Sequence, residues 1–527
     1  MKAMKKLLAL LLCAAMAASA AACSNSQGGG ASTGGGSASG GGDAGGGDAG
    51  SGEPVHIEWL TTGDNAAEPI QDGDRIIAAI NEKLGIDLDV QIVPEGNTEK
   101  VNVAMASGDF PDVVTGAYGT SATQGWIDNG MVIEIGPYFE SCPNIKNWIE
   151  SDYSWSGTDG KYYGVPFVTQ MHKANSLILM RQDWLDAVGM EYPKTLDEMR
   201  DVLEAFTTQD PDGNGQNDTV GYSTTEPSST TGTTGFDWVF YAYGREYADY
   251  MLDEDGNVAP WFEYDGFIPA MQYIKDLWDS GFVDQEFMLN DTSKMEEKFY
   301  QGRVGAITPA LYRHVTRHEN SLHELFPEGS TVYDTPPVGP DGESFGMTPQ
   351  GKTGLITCIT AACANPDKAA EFIDYMVSEE GNDLLRLGIE GVHYTMDGDT
   401  VVFNEEERAK DAFSPDGWCH ALAWGSFFWP LDSNYMPDTD PDKERAMDSV
   451  EKASAAQVPN LIMQRTPLEI ENGNTLNDVV IQYFSDMLQG KIGIEEGAQQ
   501  LSESWRSQGG EEMLAELQAA YEAQSAE

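Results

Sequence analysis

From Pro54 onward the chain switches repeatedly between the two hydrophobic periods of an α/β body. Val55–Leu60 (VHIEWL) reads as a first strand. Ile86–Val93 sets Ile86, Leu88, Val90 and Ile92 against Asp87, Asp89 and Gln91, the period of two that a strand requires. Between them Ile76, Ile77, Ile80 and Leu84 share one face of a helix predicted over about Ile70–Leu84, ended by Gly85. A further helix carries Val101, Ala104 and Met105 and stops at Gly108. It leads through Asp109-Phe110-Pro111 into a short strand, Asp112–Val114, that opens into Thr115-Gly116-Ala117-Tyr118. This β-α-β-α-β order implies a mainly parallel sheet with helical crossovers. Ligands of such sheets sit beyond the carboxyl ends of strands, which makes Tyr118 a candidate cleft residue; its alternative is a half-buried loop aromatic.

The pattern continues to the end of the chain. Gly160–Phe167 reads as a connection between lobes, Ser176–Met180 as a strand and Asp183–Val188 as a helix start. Thr195 and Glu198 form a capping box before the stripe Leu196, Met199, Val202, Leu203 and Phe206. Short helices are expected around Met271–Trp278 and Met295–Tyr300, and an apolar strand at Gly354–Ala362. Asn365-Pro366 opens another helix. A stripe from Leu476 to Leu488 and the last helices, with Leu501, Trp505, Leu514, Leu517 and Tyr521, are packing.

Composition narrows the class. A chain of 527 residues exceeds a single core, so two or more lobes are expected. The net charge of −56 argues against a nucleic-acid binder, which needs a basic face to neutralise phosphates, and suits a soluble monomer. Met1–Ala22 has a basic start (Lys2, Lys5, Lys6), an apolar run and small residues before Cys23, the form of a secretory leader. A cysteine in that place resembles the bacterial lipobox, in which the thiol is acylated, although Ala20 stands where leucine is usual. Ser24–Glu53 is almost all Gly, Ser and Ala, a flexible tether with a root-mean-square span of roughly 30 Å. Together these predict a lipid-anchored protein on the extracellular face of the cell membrane. Cys142, Cys358, Cys363 and Cys419 are scattered, without metal spacing or a disulfide framework.

Two signals carry chemistry. Asp210, Asp212, Asn214, Gln216 and Asp218 occupy positions 1, 3, 5, 7 and 9 of an EF-type loop, with Gly215 at position 6. Gln216 would offer its backbone carbonyl, and Gly221 replaces the bidentate Glu of position 12. The loop reads as a structural Ca²⁺ site or, in its bland form, as a polar turn. The second signal is aromatic: Trp238 in Gly235–Tyr243, Tyr312, and Trp424 and Trp429 in Ala423–Pro430 cluster near expected loops. Flat rings cover the C–H faces of sugars while acids and amides take the hydroxyls; single aromatics are more often core. No GxSxG, HExxH, P-loop or strand-linked GxGxxG occurs.

The body resembles the extracellular solute-binding proteins, family 1, of ABC importers, especially the large lipoprotein branch with oligosaccharide and alginate binders. The motifs are MASGDFPDVV (Met105–Val114), DGKYYGVPF (Asp159–Phe167), LILMRQDWLDAVGMEYPKTLDEM (Leu177–Met199), DPDGNGQNDTVGY (Asp210–Tyr222), FYQGRVGAI (Phe299–Ile307) and ANPDKAAEFIDYM (Ala364–Met376). The resemblance implies a type II periplasmic-binding-protein-like α/β fold of two lobes joined by a hinge, with the ligand in the cleft between them. Lobe one is expected at 55–165 plus 333–392 and lobe two at 166–332 plus 393–527. Implied function is capture of an oligosaccharide, without catalysis, and its delivery to ABC permease subunits. In relatives the loop matching Asp210–Asp218 can hold calcium. Asp64, Asn65, Tyr118, Trp238, Tyr312, Trp424 and Trp429 are the candidate cleft residues by geometry alone. A peptide or other polar ligand, a glycan-active surface enzyme, and a sensor without transport are the competing readings.

Overall fold

The computed structural model describes residues 53–525 apart from 64–69, 95–97, 109, 119, 151–160, 168–176, 229–232, 350–353, 399, 414–418, 423–441 and 463–464. The leader, Cys23 and the glycine-rich tether lie outside the described residues.

The first sheet grows from the alternation at the start of the body. Strand β1 (Val55–Gly63) pairs in parallel with β2 (Ile86–Pro94) from Val55↔Ile86 to Gly63↔Pro94. Helix α1 (Arg75–Leu84) joins them and buries Ile76, Ile80 and Leu84. It starts five residues later than its apolar pattern suggested, because the Asp74 carboxylate caps the N–H groups of Ile76 and Ile77. Gly85 ends it at φ 65°, a left-handed turn that favours glycine. Strand β3 (Val113–Tyr118) pairs in parallel with β1, and β4 (Val165–Phe167) lies at the far edge.

The second sheet contains β5 (Leu179–Arg181), β6 (Val220–Tyr222), β7 (Val304–Ile307) and β8 (Thr331–Val332), in the order β8-β5-β7-β6. The chain then returns to the first sheet as β9 (Gly354–Ile359), inserted between β3 and β4. Each sheet has one reversed strand, β9 in the first and β5 in the second; the others of each sheet run parallel to one another. The reversed strand β5 is the one by which the chain enters the second sheet, and β9 is the one by which it returns to the first.

Two separate hydrophobic cores correspond to the two sheets. The first gathers Ile57, Trp59, Ile80, Val113, Ile356 and Phe372, with Trp59 edge-on to Phe372 at 5.4 Å. The second gathers Leu179, Phe206, Tyr222, Phe236, Ile307 and Phe484. Tyr333 and Met347 pack in the second core, whereas Phe413, Cys419 and Leu422 pack in the first. The chain therefore passes from one core to the other three times, between Phe167 and Leu177, between Pro349 and Gly354, and between Leu422 and Lys443. Cys142, Cys358, Cys363 and Cys419 are free thiols.

Candidate functional site

Strand direction locates one edge on each sheet. β1, β2 and β3 end at Gly63, Pro94 and Tyr118. β9 starts on that same edge, since Gly354 lies opposite Tyr118, and β4 ends on it, since Phe167 lies opposite Leu355. In the second sheet β6 and β7 end at Tyr222 and Ile307, with the start of β5 opposite Ile307. The first crossing leaves from Phe167 and arrives just before Leu179, so it ties the carboxyl-end edge of one sheet to that of the other. The second runs from Pro349 to Gly354, and five residue steps span at most about 18 Å. The seam between the sheets thus lies where an open α/β sheet offers its ligand crevice.

Tyr118 is the last residue of β3 rather than part of a loop. The strand runs on through Thr115 and Gly116 because all six of its residues pair with β9, a partner far away in sequence. Gly116 is required there: a Cβ would meet the Trp126 ring at 2.2 Å. Trp59 donates its indole N–H to Thr115 Oγ1 at 3.0 Å, and Thr115 meets Thr357 Oγ1 at 2.8 Å, so the polar atoms inside this strand pair are satisfied.

At the end of β6, Ser223 and Thr224 are buried over a polar network. Asp284 Oδ2 accepts from Ser223 Oγ at 2.7 Å, Asn290 Nδ2 at 2.9 Å and Lys298 Nζ at 2.7 Å. Burial alone would raise the Asp284 carboxyl, but these donors, with the Glu286 N–H, hold it below its ordinary value. The Asp284 carboxylate therefore holds the Ser223 side chain, and Asn290 the Thr224 carbonyl, at the seam end of β6. Sequence reading missed it because Ser223, Asp284, Asn290 and Lys298 lie on three separate segments.

Trp238 is 2% exposed, inside the second core. Its indole N–H donates to Tyr222 Oη at 3.3 Å, and Tyr222 donates to the Gly235 carbonyl at 2.9 Å. The ring therefore buttresses the end of β6 and offers no open face. Tyr312 lies in a short 3₁₀ turn, Leu311–Arg313, after β7. The side chains of Tyr118 and Tyr312, and residues Asp64, Asn65, Trp424 and Trp429 entirely, lie outside the described residues.

The Asp210–Asp218 loop, by contrast, is described throughout. Asp210 has φ 50°, and its Oδ2 accepts the Gly215 N–H at 3.0 Å. The amide of Asn214 stands between Asp212 Oδ2 (2.7 Å) and Asp218 Oδ1 (3.1 Å), and Asn214 Oδ1 accepts the Gln216 N–H at 2.7 Å. Asp210 Oδ1 is buried with no hydrogen-bond partner. Partial burial, then the neighbouring Asp210 and Asp218 carboxyls, push the Asp212 carboxyl above its usual range. An unpartnered buried carboxylate oxygen beside mutually repelling acids fits a hard cation with oxygen ligands. Position 12 is closed to a ligand: a Cβ on Gly221 would meet the Leu203 carbonyl oxygen at 2.6 Å, where β6 packs on α2 (Leu196–Thr208).

A sequence profile described as bacterial extracellular solute-binding protein matches residues 65–383. The chain belongs to this family. Curated relatives include the polygalacturonan/rhamnogalacturonan-binding protein YtcQ of Bacillus subtilis (strain 168), 25% identical over 85% of this chain and 88% of its own length. Lipoprotein LipO of the same organism is 24% identical over 85% of this chain and 88% of its length. Among solved structures, the Streptococcus pneumoniae ABC-transporter substrate-binding protein FusA in complex with kestose superposes with a TM-score of 0.69 at 19% identity. That match covers 89% of this chain and 99% of FusA. An EF-hand mutant of FusA with fructo-nystose gives 0.67 at 18% identity, over the same shares of the two chains. The fold is the type II periplasmic-binding-protein-like arrangement expected from the motifs.

Proposed function

We propose that this solute-binding protein captures an oligosaccharide at the seam between its two sheets and passes it to the permease subunits of an ABC importer. One observation carries the reading: the first crossing joins the carboxyl-end edges of both sheets and the second reaches that same edge of the first sheet at Gly354, so a guest there touches both halves at once. A guest that contacts both halves favours the closed arrangement by its differential affinity, which a permease can recognise. The carbohydrate class is supported by relatives named for polygalacturonan, rhamnogalacturonan and fructooligosaccharide binding. The two halves are taken as 54–167 with 354–422 and 177–349 with 443–525, following core membership. Nothing in this reading requires a catalytic step, and the protein acts as a monomer. Cys23 carries the acyl anchor on the extracellular face, a reading supported by the relative named a lipoprotein. Among the described residues no helix is long and apolar enough to cross a membrane.

Asp210, Asp212, Asn214, the Gln216 carbonyl and Asp218 would hold a structural Ca²⁺, which stiffens the entry to β6; the EF-hand named in FusA supports this. Isothermal titration against a panel of neutral, acidic and amino oligosaccharides tests the main reading. Saturable binding by one class supports it; silence across all of them, with binding of a peptide pool instead, sinks it.

A further inference from the structure

The outer face of the β1–β2 pair carries an arrangement that solute binding does not use. The inward residues of these strands, Ile57, Trp59, Ile86 and Leu88, are buried. The outward residues are His56 and Glu58 on β1 and Asp87 and Asp89 on β2, and the register sets His56 opposite Asp87 and Glu58 opposite Asp89. One ligand atom from each of His56, Glu58 and Asp89 lies within 4.8 Å of the others, the only such group of three among the described residues.

The imidazole is already oriented. His56 Nδ1 donates to Asp87 Oδ2 at 3.2 Å, which leaves Nε2 turned toward Glu58 Oε1 at 3.7 Å. This is the carboxylate–histidine arrangement that fixes a metal-binding tautomer and raises the basicity of the free nitrogen. A separate observation points the same way. Glu58 and Asp89 are like charges held opposite each other by the strand pairing, a destabilising placement. Asp89 has no hydrogen bond or ion pair among the described residues, and Glu58 has no lysine or arginine partner there. A cation between them would remove the repulsion. One nitrogen and two carboxylate oxygens suit a borderline divalent metal with water completing the shell, not Ca²⁺, which takes six to eight oxygens.

We propose that His56, Glu58 and Asp89 bind a divalent transition metal of the zinc class, with Asp87 as the positioning residue for His56, and that the metal clamps the first strand of the body to the edge strand β2. All four side chains stand on paired strands, so the donor set is fixed by backbone rather than by loop conformation.

The test is titration of the EDTA-stripped full chain with Zn²⁺ alone, followed calorimetrically. One site with a dissociation constant in the micromolar range is expected. His56→Ala should abolish it, and Asp87→Asn should weaken it about ten-fold. Asp210→Asn, in the separate calcium loop, should leave zinc binding unchanged. Because these side chains are exposed, circular dichroism should show each variant folded. Affinity should fall as pH drops through the His56 value, which its hydrogen bond to Asp87 raises above that of a free histidine. No saturable uptake, or uptake that survives His56→Ala, overturns the proposal.

Discussion

Gly221 presses against the backbone of Leu203, so a Cβ there would sit 2.6 Å from the carbonyl oxygen. The residue in the twelfth place of the acidic loop is therefore chosen by helix–strand packing and offers no side-chain ligand. Gly221→Ala should cost about 1–3 kcal/mol through overpacking. Gly221→Glu should unfold the region rather than tighten calcium, which melting curves with and without Ca²⁺ will show.

Calcium should raise the melting temperature of the intact chain, and EDTA should reverse the gain. At a hundredfold excess over its dissociation constant, an ion that binds only the native state contributes about 2.7 kcal/mol. Asp212→Asn should abolish the response while making the metal-free protein no less stable, because it removes a carboxyl that Asp210 and Asp218 repel. Unchanged melting in EDTA, with no ion found by metal analysis, would reduce the loop to a turn.

Acid sensitivity should come from His318. It is 1% exposed, its Nε2–H faces the Ala310 carbonyl at 2.9 Å, and its Nδ1 lies 2.7 Å from Tyr300 Oη. Burial drives its pKa down to about 3, so the folded protein keeps it neutral while the unfolded chain protonates it near pH 6.5. The unfolded state then binds more protons across that window, and stability falls as pH drops from about 6.5 toward 3, by up to about 1.4 kcal/mol per unit. His318→Gln should flatten that slope in urea titrations between about pH 6 and 4.

Trp238 should prove structural. Trp238→Ala should cost about 3–5 kcal/mol, as expected for a buried large aromatic. Trp238→Phe should lower stability while leaving the dissociation constant for the bound oligosaccharide within a factor of about two, since a 0.4 kcal/mol change is about that size. A large selective loss of affinity would place the ring in the site after all.

Local patterns were readable where they were self-contained. The alternation of Ile86, Leu88, Val90 and Ile92 gave β2, and Thr195 with Glu198 gave the capping box, both closed on residues within one element. The mainly parallel direction of the first sheet followed from chain order alone. What depends on distant partners was not readable. β3 was expected to end at Val114, yet it continues to Tyr118 because Gly354–Ile359 pairs along its whole length. Trp238 resembled a loop aromatic in sequence, and only the fold of the second core shows Tyr222 and Phe236 around it. The start of α1 was set by the Asp74 carboxylate, which no apolar period reports.

The crossing from Pro349 to Gly354 acts as a short leash. However the two halves swing, these anchor points never separate by more than about 18 Å.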